Sequence, residues 1–151
     1  MIREQLKKAL VDSLKNKDEK KTATIRLINA AIKDKDIEAR PKGITDGIDD
    51  TAIMSLLQSM VKQRKESIEM YKQGNRADLV ASEQAEIDII NAFLPQQMNE
   101  EETKAAISAM IAQTGASSIK EMGKVMSALK AEYAGKMDFS FASQLIKSLL
   151  S

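Results

Sequence analysis

Apolar residues recur every three or four positions along nearly the whole chain, which is the spacing of amphipathic helices. The first row consists of Ile2, Leu6, Leu10 and Leu14. Three further rows follow at 25–32, 53–71 and 79–94, and Arg64 and Glu83 lie on the third and fourth rows among apolar neighbours. The pattern therefore predicts four helices before residue 95 and an all-α protein.

Proline, glycine and polar capping residues divide these rows. The segment RPKGITDGIDD at 40–50 predicts a loop, and Asp49 or Asp50 can cap the long helix that follows. Pro95 ends the fourth helix because it lacks an amide hydrogen. Asn99, followed by three glutamates, is a strong start for a new helix. We therefore predict a boundary between an N-terminal domain of about four helices, 1–94, and a C-terminal domain, 95–151.

The residues after Asn99 predict a small three-helix bundle. Its first helix ends at Thr114-Gly115 and its third begins near Asp138. The second helix opens at Ser118, because Ser118 and Glu121 have the spacing of a capping box. Arg64 and Glu83 are expected to form an ion pair between the third and fourth helices of the N-terminal domain, in preference to a carboxylate metal site.

Composition supports helices and narrows the possible chemistry. Only 3% of residues are aromatic, and strands draw on aromatic and β-branched residues. The chain contains no cysteine and no histidine. Disulfides, thiol nucleophiles and the commonest general base and transition-metal ligand are therefore absent. We expect no catalysis by the chain alone, no cofactor and no metal.

Charge is nearly balanced over the whole chain but unevenly distributed. The formal net charge is +1, whereas residues 1–42 contain twelve Lys and Arg against seven Asp and Glu. No apolar run approaches the roughly 20 residues of a membrane-spanning helix, and the N-terminus lacks the apolar core of a signal peptide. These features predict a cytoplasmic protein with no membrane partner.

Two glycine–lysine pairs, Gly123-Lys124 and Gly135-Lys136, flank the second helix of the C-terminal domain. They permit two interpretations: a capped helix with solvated lysines, or a surface that approaches phosphates closely. Five lysines belong to this part of the chain: Lys120, Lys124, Lys130, Lys136 and Lys147. Beyond the acidic first turn, the domain contains few carboxylates to offset them.

Three segments together resemble the GatB/YqeY family: 25–39, 62–102 and 119–150. The specific features are the run GNRADL at 74–79, the joint LPQQ at 94–97 and the sequence GKVM at 123–126. The last segment is similar to the tail domain of the GatB subunit of glutamine-dependent tRNA amidotransferase. The chain departs from the family at Ser127, where glycine is frequent.

The resemblance implies an all-α protein whose C-terminal domain contacts tRNA, and it associates the chain with carbon–nitrogen ligases that use glutamine as amide donor. It implies that Gly123, Lys124, Lys130, Gly135 and Lys136 are tRNA contacts, and Lys120 and Lys147 belong to the same basic domain. Four residues of the basic N-terminal region are expected to extend the surface: Arg26, Lys33, Lys35 and Arg40.

Three hypotheses follow from this resemblance and from the composition. The first is a non-catalytic tRNA-binding accessory in translation, with aminoacyl-tRNA synthetase or amidotransferase components as further partners. The second is participation in glutamine-dependent amidation, although no nucleophile for glutamine hydrolysis is visible. The third is a helical protein–protein adaptor.

Overall fold

The computed structural model describes residues 1–151, and all of its regular elements are helical. The all-α prediction is confirmed. Seven α-helices follow one another: α1 (Ile2–Lys15), α2 (Glu19–Ala39), α3 (Asp50–Gln73), α4 (Ala77–Asn91), α5 (Glu100–Thr114), α6 (Met122–Tyr133) and α7 (Phe139–Leu150). Short 3-10 turns precede Gly43 and Met122. The chain divides into two compact units, Met1–Pro95 and Gln96–Ser151. No helix is both long enough and apolar enough to cross a bilayer.

The N-terminal unit packs α1–α4 around an aliphatic core. Ile25, Ile28, Ile53, Leu57 and Ile90 are completely buried in it. In the first predicted row, Ile2 and Leu6 are buried as expected, but Leu14 is 51% exposed. Ser13 takes the buried position instead, and its hydroxyl lies 2.8 Å from that of Thr22 on α2. Two small hydroxyl residues let the helices approach each other closely near the turn that joins them.

Hydrogen bonds from Arg3 link α1 to α2 and to the loop before α3. Its guanidinium donates two hydrogen bonds to the carboxylate of Asp36, of 2.7 and 3.0 Å, and one of 3.0 Å to the carbonyl of Ile48. The Ile48 amide donates to the same carboxylate at 2.8 Å. These contacts hold the pKa of Asp36 below its usual range, chiefly through the hydrogen bond from Arg3.

The loop before α3 passes close to the Arg3 guanidinium at Gly47. Gly47 has a φ of +92°, and a Cβ atom there would lie 2.7 Å from Nη2 of Arg3. Gly43, in the same loop and with a φ of +89°, has nothing within 4 Å of the equivalent Cβ position. The two glycines share a backbone conformation, but only at Gly47 would a side chain also displace the guanidinium that pairs with Asp36.

A second polar contact joins α2, α3 and α4. Arg64 Nε donates to Glu86 Oε2 at 2.9 Å, and both side chains are at least four-fifths buried. Lys20 Nζ lies 3.3 Å from Glu86 Oε1 and 2.7 Å from the hydroxyl of Ser82. The prediction that Glu83 pairs with Arg64 is wrong, because Glu86 is the partner. Glu83 and Glu86 lie on similar sides of α4 but almost one turn apart, and sequence spacing does not fix which turn faces Arg64.

The C-terminal unit encloses a smaller core between α5, α6 and α7. Its buried members are Ile107, Met110, Val125, Leu129, Met137, Ala142 and Ile146. The predicted Asn99 cap of α5 is present, and Glu102 completes it as a capping box. The capping box predicted at Ser118 is wrong: the Ser118 side chain makes no cap bond, and Glu121 accepts from the Ser117 amide at 2.6 Å instead.

Replacing Asp36 with asparagine should lower the free energy of unfolding by about 1–2 kcal/mol at pH 7, because charge-assisted hydrogen bonds to Arg3 are lost. The folded-state pKa of Asp36 is lowered, so its contribution is present above about pH 4 and disappears as the pH falls through the folded-state value. Urea denaturation at pH 7 and at pH 3, followed by circular dichroism, measures both quantities.

Glu38→Gln is the matched control. Glu38 pairs with Lys35 at 3.2 Å on the exposed side of the same helix, so its replacement should change stability by less than about 0.5 kcal/mol. An Asp36→Asn loss as small as that of the control, or one of equal size at both pH values, would contradict the assigned role of Asp36.

Candidate nucleic-acid interface

Helix α6 is buried along one side and carries small residues along the other. Val125 and Leu129 are completely buried. Gly123, Ser127 and Ala131 follow at four-residue intervals, so they form one row on the opposite side, and all three are exposed. This row of small side chains leaves the backbone of α6 accessible along about two turns.

Three exposed lysines flank the row of small residues. Lys124 occupies the neighbouring row on one side and Lys130 the row on the other side, and exposed Lys120 precedes the helix in the 3-10 turn. We call Lys120, Lys124, Lys130 and the three small residues the α6 face. Flexible cationic side chains on both edges of a low, polar strip can contact an anionic chain that lies along it.

Lys124 also has a structural contact. Its Nζ donates a 3.1 Å hydrogen bond to the carbonyl of Thr114, the last residue of α5. The last carbonyls of a helix lack intrahelical partners and carry partial negative charge, so a lysine is favourable there. An ammonium group has three donors, so this contact leaves Lys124 able to bind a further acceptor.

The two glycine–lysine pairs have different structural roles. Gly123 is exposed, and a Cβ atom on it would meet nothing within 4 Å. Gly135 is buried, has a φ of +77° and follows the last turn of α6, which is the predicted role of a helix terminator. Its carbonyl accepts from Gln97 Nε2 at 2.6 Å, and the carbonyl of Lys136 accepts from the Met98 amide at 2.9 Å.

The structure thus places part of the predicted C-terminal set on one face. Gly123 and three of the lysines belong to the α6 face, whereas Lys136 follows the helix end and Lys147 is exposed on α7. Sequence reasoning did not identify Ala131, and it noted Ser127 only as a departure from the family. The four-residue spacing of small residues opposite Val125 and Leu129 was the signal that could have found both.

The four basic residues predicted in the N-terminal region also lie on different sides of α2. Arg26, Lys33 and Arg40 are seven residues apart and exposed, so they form a row along α2 with steps of about 10 Å. Arg40 follows the last residue of α2 but keeps helical backbone angles. Lys35 points to another side of the helix and pairs with Glu38 at 3.2 Å. We call the first three residues the α2 row.

No group of three or more Asp and Glu side chains that could hold a metal ion is present. Glu86, which sequence spacing pairs with Glu83 on one side of α4, is engaged by Arg64 and Lys20.

Comparison with known proteins gives one family over almost the whole chain. The family model described as Yqey-like protein matches residues 3–150. Curated relatives bear the name "Altered inheritance of mitochondria protein 41, mitochondrial". The protein from Lachancea thermotolerans is 38% identical over 95 residues, which are 63% of this chain and 46% of the relative. The protein from Eremothecium gossypii is 37% identical over 93 residues, 62% of this chain and 46% of the relative.

The protein from Saccharomyces cerevisiae strain S288c bears the same name and is 35% identical over 96 residues, which are 64% of this chain and 48% of the relative. The chain therefore spans about half the length of these relatives. Their names contradict the predicted cytoplasmic location and point to mitochondria instead. The prediction failed because the lack of a spanning helix and of a secretory signal does not distinguish the cytoplasm from the interior of an organelle.

Replacing Gly123 with alanine should raise the free energy of unfolding by up to about 1 kcal/mol, because alanine is the better helix former and the site is open. The same change at Gly135 should lower it by about 1 kcal/mol or more, because its backbone is left-handed. Urea denaturation of the two variants measures both effects. A loss of stability at Gly123 would show that this glycine has a packing role after all.

Proposed function

The chain belongs to the YqeY-like family, and from that premise we propose that it is a non-catalytic tRNA-binding accessory protein. The observation that carries the proposal is the α6 face, where lysines on two edges border an exposed row of small residues. Binding there supplies tRNA to a translation enzyme, an aminoacyl-tRNA synthetase or an amidotransferase, that acts in trans. The names of the curated relatives support a mitochondrial setting for this role.

The shape of the α6 face suits a phosphate backbone. Gly123, Ser127 and Ala131 project little, so a nucleic-acid strand can lie close to the helix, and lysines on both sides then reach its phosphates. The exposed hydroxyl of Ser127 can donate to a phosphate oxygen or a ribose hydroxyl. Each contact is modest, and the affinity would depend strongly on salt concentration.

The composition of the face favours recognition of RNA shape over sequence. The face contains no aromatic side chain on which a base could stack and no Arg, Asn or Gln for paired hydrogen bonds to base edges. The aromatic residues of this unit, Tyr133, Phe139 and Phe141, are partly buried. Folded RNA with a defined backbone geometry, such as tRNA, fits such a surface better than an unstructured strand.

Neutralising Lys120 and Lys130 together by glutamine should weaken tRNA binding about tenfold or more and make the log–log salt dependence shallower by about 1.5. Lys124 is left unchanged because it also supports the end of α5. Fluorescence anisotropy with labelled tRNA at several salt concentrations measures affinity and slope in one experiment.

Lys62→Gln with Lys65→Gln is the matched control, since both lysines are exposed on α3 and the net change in charge is the same. An equal loss of affinity in the control would mean that binding follows total charge and not the α6 face. Failure of the unaltered protein to bind tRNA at low salt would contradict the proposed function itself.

A further inference from the structure

The α1–α2 hairpin carries an exposed surface that mixes cationic and aliphatic side chains. On α2 it consists of the α2 row together with Ile37. On α1 it consists of Lys7, Val11 and Leu14, which are three or four residues apart and therefore share one side of that helix. We call these seven residues the hairpin face.

Two contacts show that the two helices turn these residues to the same side. Arg3 meets Asp36 at 2.7 Å, and the hydroxyls of Ser13 and Thr22 are 2.8 Å apart, so these pairs mark the seam between the antiparallel helices. On α1, Lys7 lies one turn after Arg3. On α2, Lys33 and Arg40 lie one turn to either side of Asp36, and Arg26 lies one turn after Thr22. Exposed cations from both helices therefore border the same seam.

The aliphatic residues of the hairpin face are open to solvent. Val11 is 48% exposed, Leu14 51% and Ile37 47%. Four cations surround them, and the carboxylate of Asp36 on the seam is already occupied by Arg3. Three exposed acidic residues lie at the edges of the face: Glu19 at the start of α2, Glu4 three residues before Lys7, and Asp34 three residues before Ile37.

We propose that the hairpin face binds the surface of a membrane rich in anionic phospholipid. The cations contact the headgroups, each with a favourable electrostatic contribution, and the aliphatic side chains enter the boundary between headgroups and acyl chains. The expectation of no membrane partner was based on the lack of a spanning helix and of a signal peptide. Binding to a membrane surface needs neither feature.

RNA would also match the positive charge of the hairpin face, but the face fits RNA less well. It has no aromatic side chain for stacking on bases, and phosphate contacts would leave Val11, Leu14 and Ile37 in water. The proposal is independent of tRNA binding by the α6 face, which lies in the other unit.

Sedimentation of the full chain with vesicles tests the proposal. Vesicles contain equal parts of phosphatidylglycerol and phosphatidylcholine, or phosphatidylcholine alone. The protein should sediment with the anionic vesicles and much less with the neutral ones, and raising the salt concentration should release it.

Two double variants separate the charged and the aliphatic contributions. Arg26→Gln with Lys33→Gln should lower binding to anionic vesicles about twenty-fivefold, which is about fivefold for each cation removed. Val11→Ser with Leu14→Ser should lower it about tenfold although the charge is unchanged. The controls are Lys62→Gln with Lys65→Gln, and Met70→Ser, which alters a residue 71% exposed on α3. Neither control should change binding by more than about twofold. Circular dichroism confirms that all variants are folded.

Three results would overturn the proposal: no binding to anionic vesicles, equal losses in variants and controls, or insensitivity to the two serine substitutions. Anisotropy with tRNA is run on the same variants. If Arg26→Gln with Lys33→Gln weakens tRNA binding while vesicles are not bound, the hairpin face is an RNA surface. If Val11→Ser with Leu14→Ser converts a dimer into a monomer in sedimentation equilibrium, a second copy of the chain covers the hairpin face, and the membrane proposal is wrong.

Discussion

Both units depend on the burial of aliphatic side chains. With 3% aromatic residues and no cysteine, the chain has little aromatic volume and no disulfide with which to hold helices together. The N-terminal core is built largely from isoleucine and leucine on α1–α4, and the C-terminal core from seven residues ending at Ile146. Each fully buried side chain of this kind contributes about 2–3 kcal/mol, which the conformational entropy of the chain largely offsets. The remaining stability is small, so polar contacts decide the details.

Aliphatic rows determine which side of a helix is buried but leave its axial position loosely defined, and the polar contacts of the N-terminal unit supply that information. A shift of α1 along α2 would separate Arg3 from Asp36, and a shift of α4 would separate Glu86 from Arg64. Each shift would leave a partly buried charge without its partner, which costs far more than a surface charge does. The same contacts therefore determine that Lys7, Lys33 and Arg40 face solvent beside one another. The exposed surface of the hairpin is a consequence of how its seam is paired.

The sequence predicted the features that local chemistry controls. The Asn99 cap, the end of α6 at Gly135 and the burial of rows such as Ile25 to Ile32 depend on residues close in sequence, and all are present. The predicted burial of Leu14, the predicted pairing of Glu83 with Arg64 and the predicted capping box at Ser118 were wrong, because these roles depend on tertiary context. Ser13 replaces Leu14 where two helices meet, Glu86 reaches Arg64 one turn beyond Glu83, and Glu121 turns back to the Ser117 amide. Of the candidate site, the residue types were predictable, whereas their division between faces required the helix rotations.

Gly123 and Gly135 show why a motif alone could not identify the candidate site. Each is followed by lysine and each lies at an end of α6, so their sequences are equivalent. At Gly135 the positive φ by itself explains the preference for glycine. At Gly123 the backbone is helical and the surroundings are empty, so the fold does not need glycine there and loses stability by having it. We propose that Gly123, which the fold does not require and which lies between lysines on an exposed strip, is retained for binding. The proposed binding surface therefore centres on Gly123 and on the small residues Ser127 and Ala131 that follow it along α6.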